Sequence, residues 1–130
     1  LAKILVIEDD VTFLDLVRVH LAGAGHEVIM AEDAVVGLRA VIADQPDLVV
    51  LDIFVPYLDG FEVLAALQGD PATQGIPVIV LTGQGDDDTF ARARQLGAAA
   101  FLTKPVEGTR LIRVIEEQLA ARPESGVSQE

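Results

Sequence analysis

Leu48-Val49-Val50-Leu51-Asp52 is the stretch that decides the fold. Four apolar residues run straight into a carboxylate. An apolar run of this length, without alternation, reads as a strand covered on both faces, as in a parallel sheet. Such a strand normally spends its last residue on packing or a turn, and this one ends on Asp52. In open α/β sheets, ligands sit outside the carboxyl ends of the strands. Asp52 is therefore expected to be the reactive group, with other strands delivering groups around it.

Working outward, Ile4-Leu5-Val6-Ile7 repeats the signal after Lys3 and ends at Glu8-Asp9-Asp10. Val78-Ile79-Val80-Leu81 repeats it again after Pro77 and ends on Thr82. Two weaker strands are expected. One is Glu27 to Ala31, short and opening on a charge, which suits a sheet edge. The other is Ala98 to Leu102, followed by Thr103-Lys104-Pro105. The segments between them carry helical spacing. Phe13, Leu14, Val17 and Leu21 share a face that Gly23 and Gly25 close. Asp33 is the expected cap of a second helix, with Val35, Leu38, Val41 and Ile42, which Pro46 stops. Pro56 and Gly60 shape a turn before Phe61, Val63, Leu64 and Leu67. Asp86-Asp87-Asp88 suits a helix N-terminus, with Phe90, Ala93 and Leu96 inward and Gly97 as the stop. Leu111, Ile112, Ile115 and Leu119 mark the last helix. Five strand–helix units give parallel pairing through right-handed crossovers. The expected class is α/β: a flavodoxin-like doubly wound (βα)5 sandwich, with a five-stranded parallel sheet in the order 2-1-3-4-5. Residues 1–121 are expected to form the domain, and residues 122–130 a polar tail or the start of a linker.

The chain has 130 residues and is 51% apolar, enough for one core. It has no cysteine, which removes disulfide, thiolate and zinc-thiolate chemistry. No apolar run approaches the roughly 20 residues that span a bilayer, and no secretory pattern opens the chain. A cytoplasmic setting is expected. The opening residue is Leu1 and not Met, as expected of a piece of something longer. The formal charge is -12, with eleven acidic and three basic residues in positions 1–60 alone. That balance argues against a nucleic-acid surface, which needs cationic side chains to neutralise phosphates. It argues equally against docking on anionic lipid.

In this fold the C-terminal strand ends form one rim. The first strand brings Asp9 and Asp10, the third Asp52, the fourth Thr82 and the fifth Lys104. Three carboxylates close together resist full ionisation, and a hard divalent cation relieves the repulsion. No histidine falls near the rim in the chain, so the donor set is oxygen only. That favours Mg²⁺, or Mn²⁺, over zinc. Lys104 and Thr82 make sense if a phosphoryl group arrives, the one as a point charge and the other as a hydroxyl donor. Asp52 could then be the nucleophile that forms an acyl phosphate. Each feature alone has a blander explanation: Asp9-Asp10 as a helix cap, Asp52 as a turn former, Lys104-Pro105 as ordinary surface. Their occurrence at four separate strand ends is what argues for a site.

Taken together, these segments resemble the receiver domain of two-component response regulators. The resemblance is carried by Ile4 to Asp10, Leu51 to Gly60, Val80 to Gly83 and Phe101 to Pro105, in that order, and runs from Lys3 to about Ala121. It implies that Asp52 accepts a phosphoryl group from a phosphohistidine on a sensor histidine kinase or phosphotransfer protein. It implies that Asp10 and Asp52 ligate Mg²⁺, with Asp9 acting largely through water and the Phe54 backbone carbonyl as a further ligand. Thr82 and Lys104 would hold the phosphoryl oxygens. Phe101 falls at the family's switch aromatic, which turns inward as the Thr82 hydroxyl moves toward the phosphoryl group. The surface of the fourth helix, fifth strand and fifth helix would be remodelled for an output domain, an effector or a second copy. The domain would thus catalyse its own phosphorylation and dephosphorylation while serving mainly as a signalling switch.

Phe54 and Gln84, each two residues after a site residue, depart from common family patterns and lie near the path of the hydrolytic water. Phe54 is expected to restrict that water and lengthen the phosphorylated lifetime, and Gln84 to orient it and oppose the effect. Tyr57 reads as a partly exposed loop aromatic. A phosphatase of the haloacid-dehalogenase type needs a second aspartate where Phe54 stands. A flavodoxin-like electron carrier needs a Ser/Thr-rich phosphate loop where Glu8-Asp9-Asp10-Val11 stands. The stronger rival is a non-phosphorylated pseudo-receiver that acts as an interaction module. Loss of an acid or of the lysine would favour it, and none is lost.

Overall fold

The computed structural model describes residues 2–55, 57, 59–83 and 86–121. Five strands alternate with five helices: β1 (Lys3–Ile7), α1 (Val11–Gly23), β2 (Glu27–Ala31), α2 (Ala34–Asp44), β3 (Leu48–Asp52), α3 (Gly60–Gly69), β4 (Val78–Thr82), α4 (Asp87–Gln95), β5 (Ala100–Thr103) and α5 (Gly108–Ala121). The strands pair in parallel in the order β2-β1-β3-β4-β5. This is the doubly wound (βα)5 arrangement expected from the apolar runs.

Strand periodicity builds two apolar layers from one sheet. Leu5, Ile7, Val49, Leu51, Val78 and Val80 face α2, α3 and α4. Ile4, Val6, Leu48, Val50, Ile79 and Leu81 face α1 and α5. Every residue of β3 and β4 is buried, which is why these strands show no alternation in the sequence. The edge strand β2 is only half covered, and Met30 on it is exposed.

Three helix N-termini near the rim are closed by aspartates accepting backbone N–H bonds, which satisfies otherwise orphaned donors. Asp10 accepts from Phe13, Asp59 from Phe61, and Asp86 from Thr89. Asp33 caps α2 in the same way, as its place in the sequence suggested. β5 begins two residues later than its small-residue run implied. The Ala98 N–H bonds to the Ala93 carbonyl and closes α4, while the Ala99 N–H reaches the Val78 carbonyl. Tyr57 lies in a left-handed conformation at φ 79° and is 80% exposed.

Candidate functional site

Parallel register sets the site. Ile7 pairs with Leu51, so the next residues on these neighbouring strands, Glu8 and Asp52, stand side by side past the last apolar rung. Asp52 also pairs with Leu81, one residue before Thr82. Thr82 in turn pairs with Thr103, and the Lys104 N–H bonds to the Thr82 carbonyl at 2.8 Å. Backbone pairing alone thus gathers Glu8, Asp52, Thr82 and Lys104 at one end of the sheet.

Asp52 is nearly buried, at 5% exposure, and Thr82 is fully buried. The two Asp52 oxygens have different partners. Oδ1 accepts the Phe54 N–H at 2.9 Å, and Oδ2 accepts from Lys104 Nζ at 2.9 Å. Lys104 Nζ also pairs with Glu8 Oε1. That oxygen is buried, and the Lys104 ammonium against it supplies its counter-charge. Glu8 Oε2 accepts the Asp10 N–H at 3.0 Å.

Burial pushes the Glu8 carboxyl up to about 7, the nearby Asp52 charge adding to the effect and Lys104 and the Asp10 N–H opposing it. Burial by itself would lower the Lys104 ammonium. Its bonds to Glu8 and Asp52 outweigh that, and hold it above the ordinary lysine range. The Phe13 ring lies 5.1 Å from the same ammonium, a further weak attraction.

Glu8, Asp9 and Asp52 each bring a carboxylate oxygen within 4.8 Å of the others. An all-oxygen set that includes two buried carboxylates fits a hard divalent cation. The set differs by one residue from the Asp9, Asp10 and Asp52 expected. The Asp10 side chain is turned to the start of α1, where it caps the helix, and Glu8 takes the inward place. The signal for this was in the chain: Glu8 follows its apolar run without a gap, as Asp52 follows its own.

The other expected site residues are distributed around this centre. Phe54 gives its N–H to Asp52 while its side chain is 49% exposed. Phe101 lies on β5, paired with Val80, and its ring stacks on Phe90 of α4 at 4.5 Å. Gln84 lies outside the described residues.

Comparison with known proteins is consistent with this geometry. A family model described as the response regulator receiver domain matches residues 4–116. The chain is 38% identical over 118 residues to the DNA-binding dual master transcriptional regulator RpaA of Synechocystis, covering 91% of this chain and 46% of RpaA, so it spans about half of that relative. It is 33% identical to protein PilH of Pseudomonas aeruginosa, covering 92% of this chain and 99% of PilH. Among solved structures, a response regulator receiver domain protein from Methanospirillum hungatei superposes with a TM-score of 0.87 at 30% identity, covering 92% of this chain and 94% of the other.

Proposed function

The chain belongs to the response regulator receiver family, and from that premise we propose that Asp52 accepts a phosphoryl group from a phosphohistidine. The donor is a sensor histidine kinase or a phosphotransfer protein. The observation that supports this best is the Asp52 carboxylate, nearly buried, held by Lys104 and flanked by Glu8 and Asp9.

In the transfer, a carboxylate oxygen of Asp52 forms a bond to phosphorus. The phosphorus–nitrogen bond to the donor imidazole breaks, and the ring nitrogen keeps the electron pair. Phe54 N–H fixes the orientation of the nucleophilic carboxylate. Lys104 moves its charge from Asp52 to the phosphoryl oxygens, and the Thr82 hydroxyl donates to them. Mg²⁺, or Mn²⁺, would supply charge neutralisation for the transfer. Asp9, Asp52, Glu8 and the Phe54 backbone carbonyl are the groups that would hold it, directly or through water.

The donor's histidine-bearing helix has a place to dock. α1 exposes Val11, Leu16 and Val19, each at least half exposed. A groove of about 400 Å³ lined by Asp10, Phe13, Leu16, Lys104, Pro105 and Val106 runs from that helix to Lys104, the partner of Asp52. The output is a change in the α4–β5–α5 surface, offered to an effector, an output domain or a second copy. The domain's net charge of -12 argues against its own contact with nucleic acid.

The test is incubation with a small-molecule phosphodonor and Mg²⁺, read by intact mass. The parent gains one acid-labile phosphoryl group and Asp52→Asn does not. After donor removal, Phe54→Asn loses the group faster than the parent, because the half-exposed ring no longer screens water from Asp52. An unmodified parent under several donors would favour the interaction-module reading.

A further inference from the structure

Helix α4 is held to the rest of the protein differently from its neighbours. α3 buries five residues, α1 and α2 three each, and α5 two. α4 buries Ala93 alone among the described residues. Its other attachments are made by rings and guanidinium groups at the periphery. Phe90 stacks on Phe101 of β5, with centroids 4.5 Å apart and planes at 23°. Arg94 lies over the same Phe101 ring at 5.1 Å, from a helix position that keeps it exposed. On the other flank, Arg92 lies over Phe61 of α3 at 4.1 Å. Contacts of this kind are directional and weak, well below the burial of a full aliphatic side chain.

The same ring is wired to the site. Phe101 lies three residues before Lys104, on the strand whose end is tied to Thr82 through the backbone and to Asp52 through the lysine. Beside the Arg92–Phe61 contact lies a cleft of about 440 Å³ that Ile53, Phe54 and Asp59 also line. That cleft lies against Arg92, on the side of α4 that meets α3. Movement of Lys104 and Thr82 toward a phosphoryl group therefore pulls on a strand clamped from outside by Phe90 and Arg94.

We propose that Phe90 is a positioning residue which, with Arg94, clamps the Phe101 ring in its half-exposed resting place and so slows phosphorylation of Asp52. The proposal rests on the reading of Asp52 as the acceptor, and specifies how that site is restrained. The restraint acts through Phe101 and β5; neither Phe90 nor Arg94 touches the reacting atoms. On this proposal the stack belongs to the resting arrangement only, so removing it raises the population of the reactive one.

The experiment compares phosphorylation rates of the full chain with acetyl phosphate and Mg²⁺, by intact mass, for the parent, Phe90→Ala, Phe90→Leu and Arg94→Gln. Phe90→Ala is expected to be phosphorylated about two- to tenfold faster, the span set by one aromatic pair. Phe90→Leu keeps most of the apolar contact and lacks the stack; it is expected to show the same direction with better preserved stability. Arg94→Gln is expected to give a gain of about two- to fivefold. In each variant, Phe101 labelled with para-fluorophenylalanine, its signal identified by loss in Phe101→Leu, shows a ¹⁹F shift displaced toward that of the phosphorylated parent. A modified parent whose Phe90→Leu and Arg94→Gln variants react at the parent rate, with the Phe101 signal unmoved, overturns the clamp and leaves the acceptor reading intact. A parent that takes no phosphoryl group overturns both.

Discussion

At Glu8, two effects pull on one carboxyl: burial raises it to about 7, while Lys104 and the Asp10 N–H draw it back toward ionisation. The sign of the consequence follows from linkage. Between the ordinary value of 4.5 and about 7, the folded protein holds a proton on Glu8 that the unfolded chain has released. Stability therefore falls as pH rises through that window. Without divalent cations, this residue is expected to contribute a decline of about 1–3 kcal/mol in unfolding free energy. Denaturant titrations across the window check it: Glu8→Gln flattens the decline, and an equal slope in both proteins would remove Glu8 as its source. Lys104, also raised, gives a pH dependence of the same sign but far from this window. Its raised value stabilises the fold at neutral pH, and that contribution is lost only as the solution becomes more alkaline than its ordinary 10.5. Asp9, Asp52, Thr82 and Lys104 could be placed from the sequence because each follows a recognisable strand. Asp10 and Glu8 exchanged places because three consecutive acids can be told apart only by counting rungs against the neighbouring strand.

At the scale of elements, the loop after β3 is fixed by a close approach that only glycine permits. The Gly60 N–H bonds to the Ile53 carbonyl at 3.0 Å, and a Cβ on Gly60 would fall 2.4 Å from both the Ile53 Cα and its carbonyl oxygen. Backbone cannot yield as a flexible side chain would. Gly60→Ala is expected to cost about 1–3 kcal/mol through overpacking, measured as a shift in denaturant midpoint. Its sharper effect is on the turn that supplies the Phe54 N–H to Asp52, so the amide resonance of Phe54 should move; an unmoved resonance would separate the turn from the acceptor. The need for a tight turn at Gly60 was legible. The contact that imposes it joins residues seven apart through the tertiary turn, and periodicity does not reveal it. The Phe90–Phe101 stack was hidden for the same reason: Phe90 reads as ordinary inward packing and Phe101 as a switch aromatic, and nothing within either element pairs the two. The β5 boundary also moved, because alanines carry little strand preference and the Ala98 N–H is taken by α4.

For the molecule as a whole, net charge and the carboxylate cluster predict separate responses to salt. Screening of a charge of -12 should stabilise the fold with any simple electrolyte. Binding to the cluster adds an increment specific to Mg²⁺ that grows with its concentration. Thermal midpoints in MgCl₂ and NaCl at equal ionic strength distinguish the two. Asp9→Asn should lose the Mg²⁺-specific increment. Asp10→Asn should keep it, since asparagine also caps helices well; its loss there would return Asp10 to the ligand set and set aside the inward Glu8. The overall architecture was legible because buried parallel strands write continuous apolar runs into a sequence. The distribution of cover was not, and α4 with its single buried residue is the clearest case. The site also has a developmental consequence. Lys104 and Asp52 are 52 residues apart in the chain, and Asp52 meets its partners only when β1, β4 and β5 have all assembled around β3. No version of the sheet that lacks β1, β4 or β5 contains the constellation. On the proposed acceptor role of Asp52, competence to be phosphorylated arrives only once those four strands are in place.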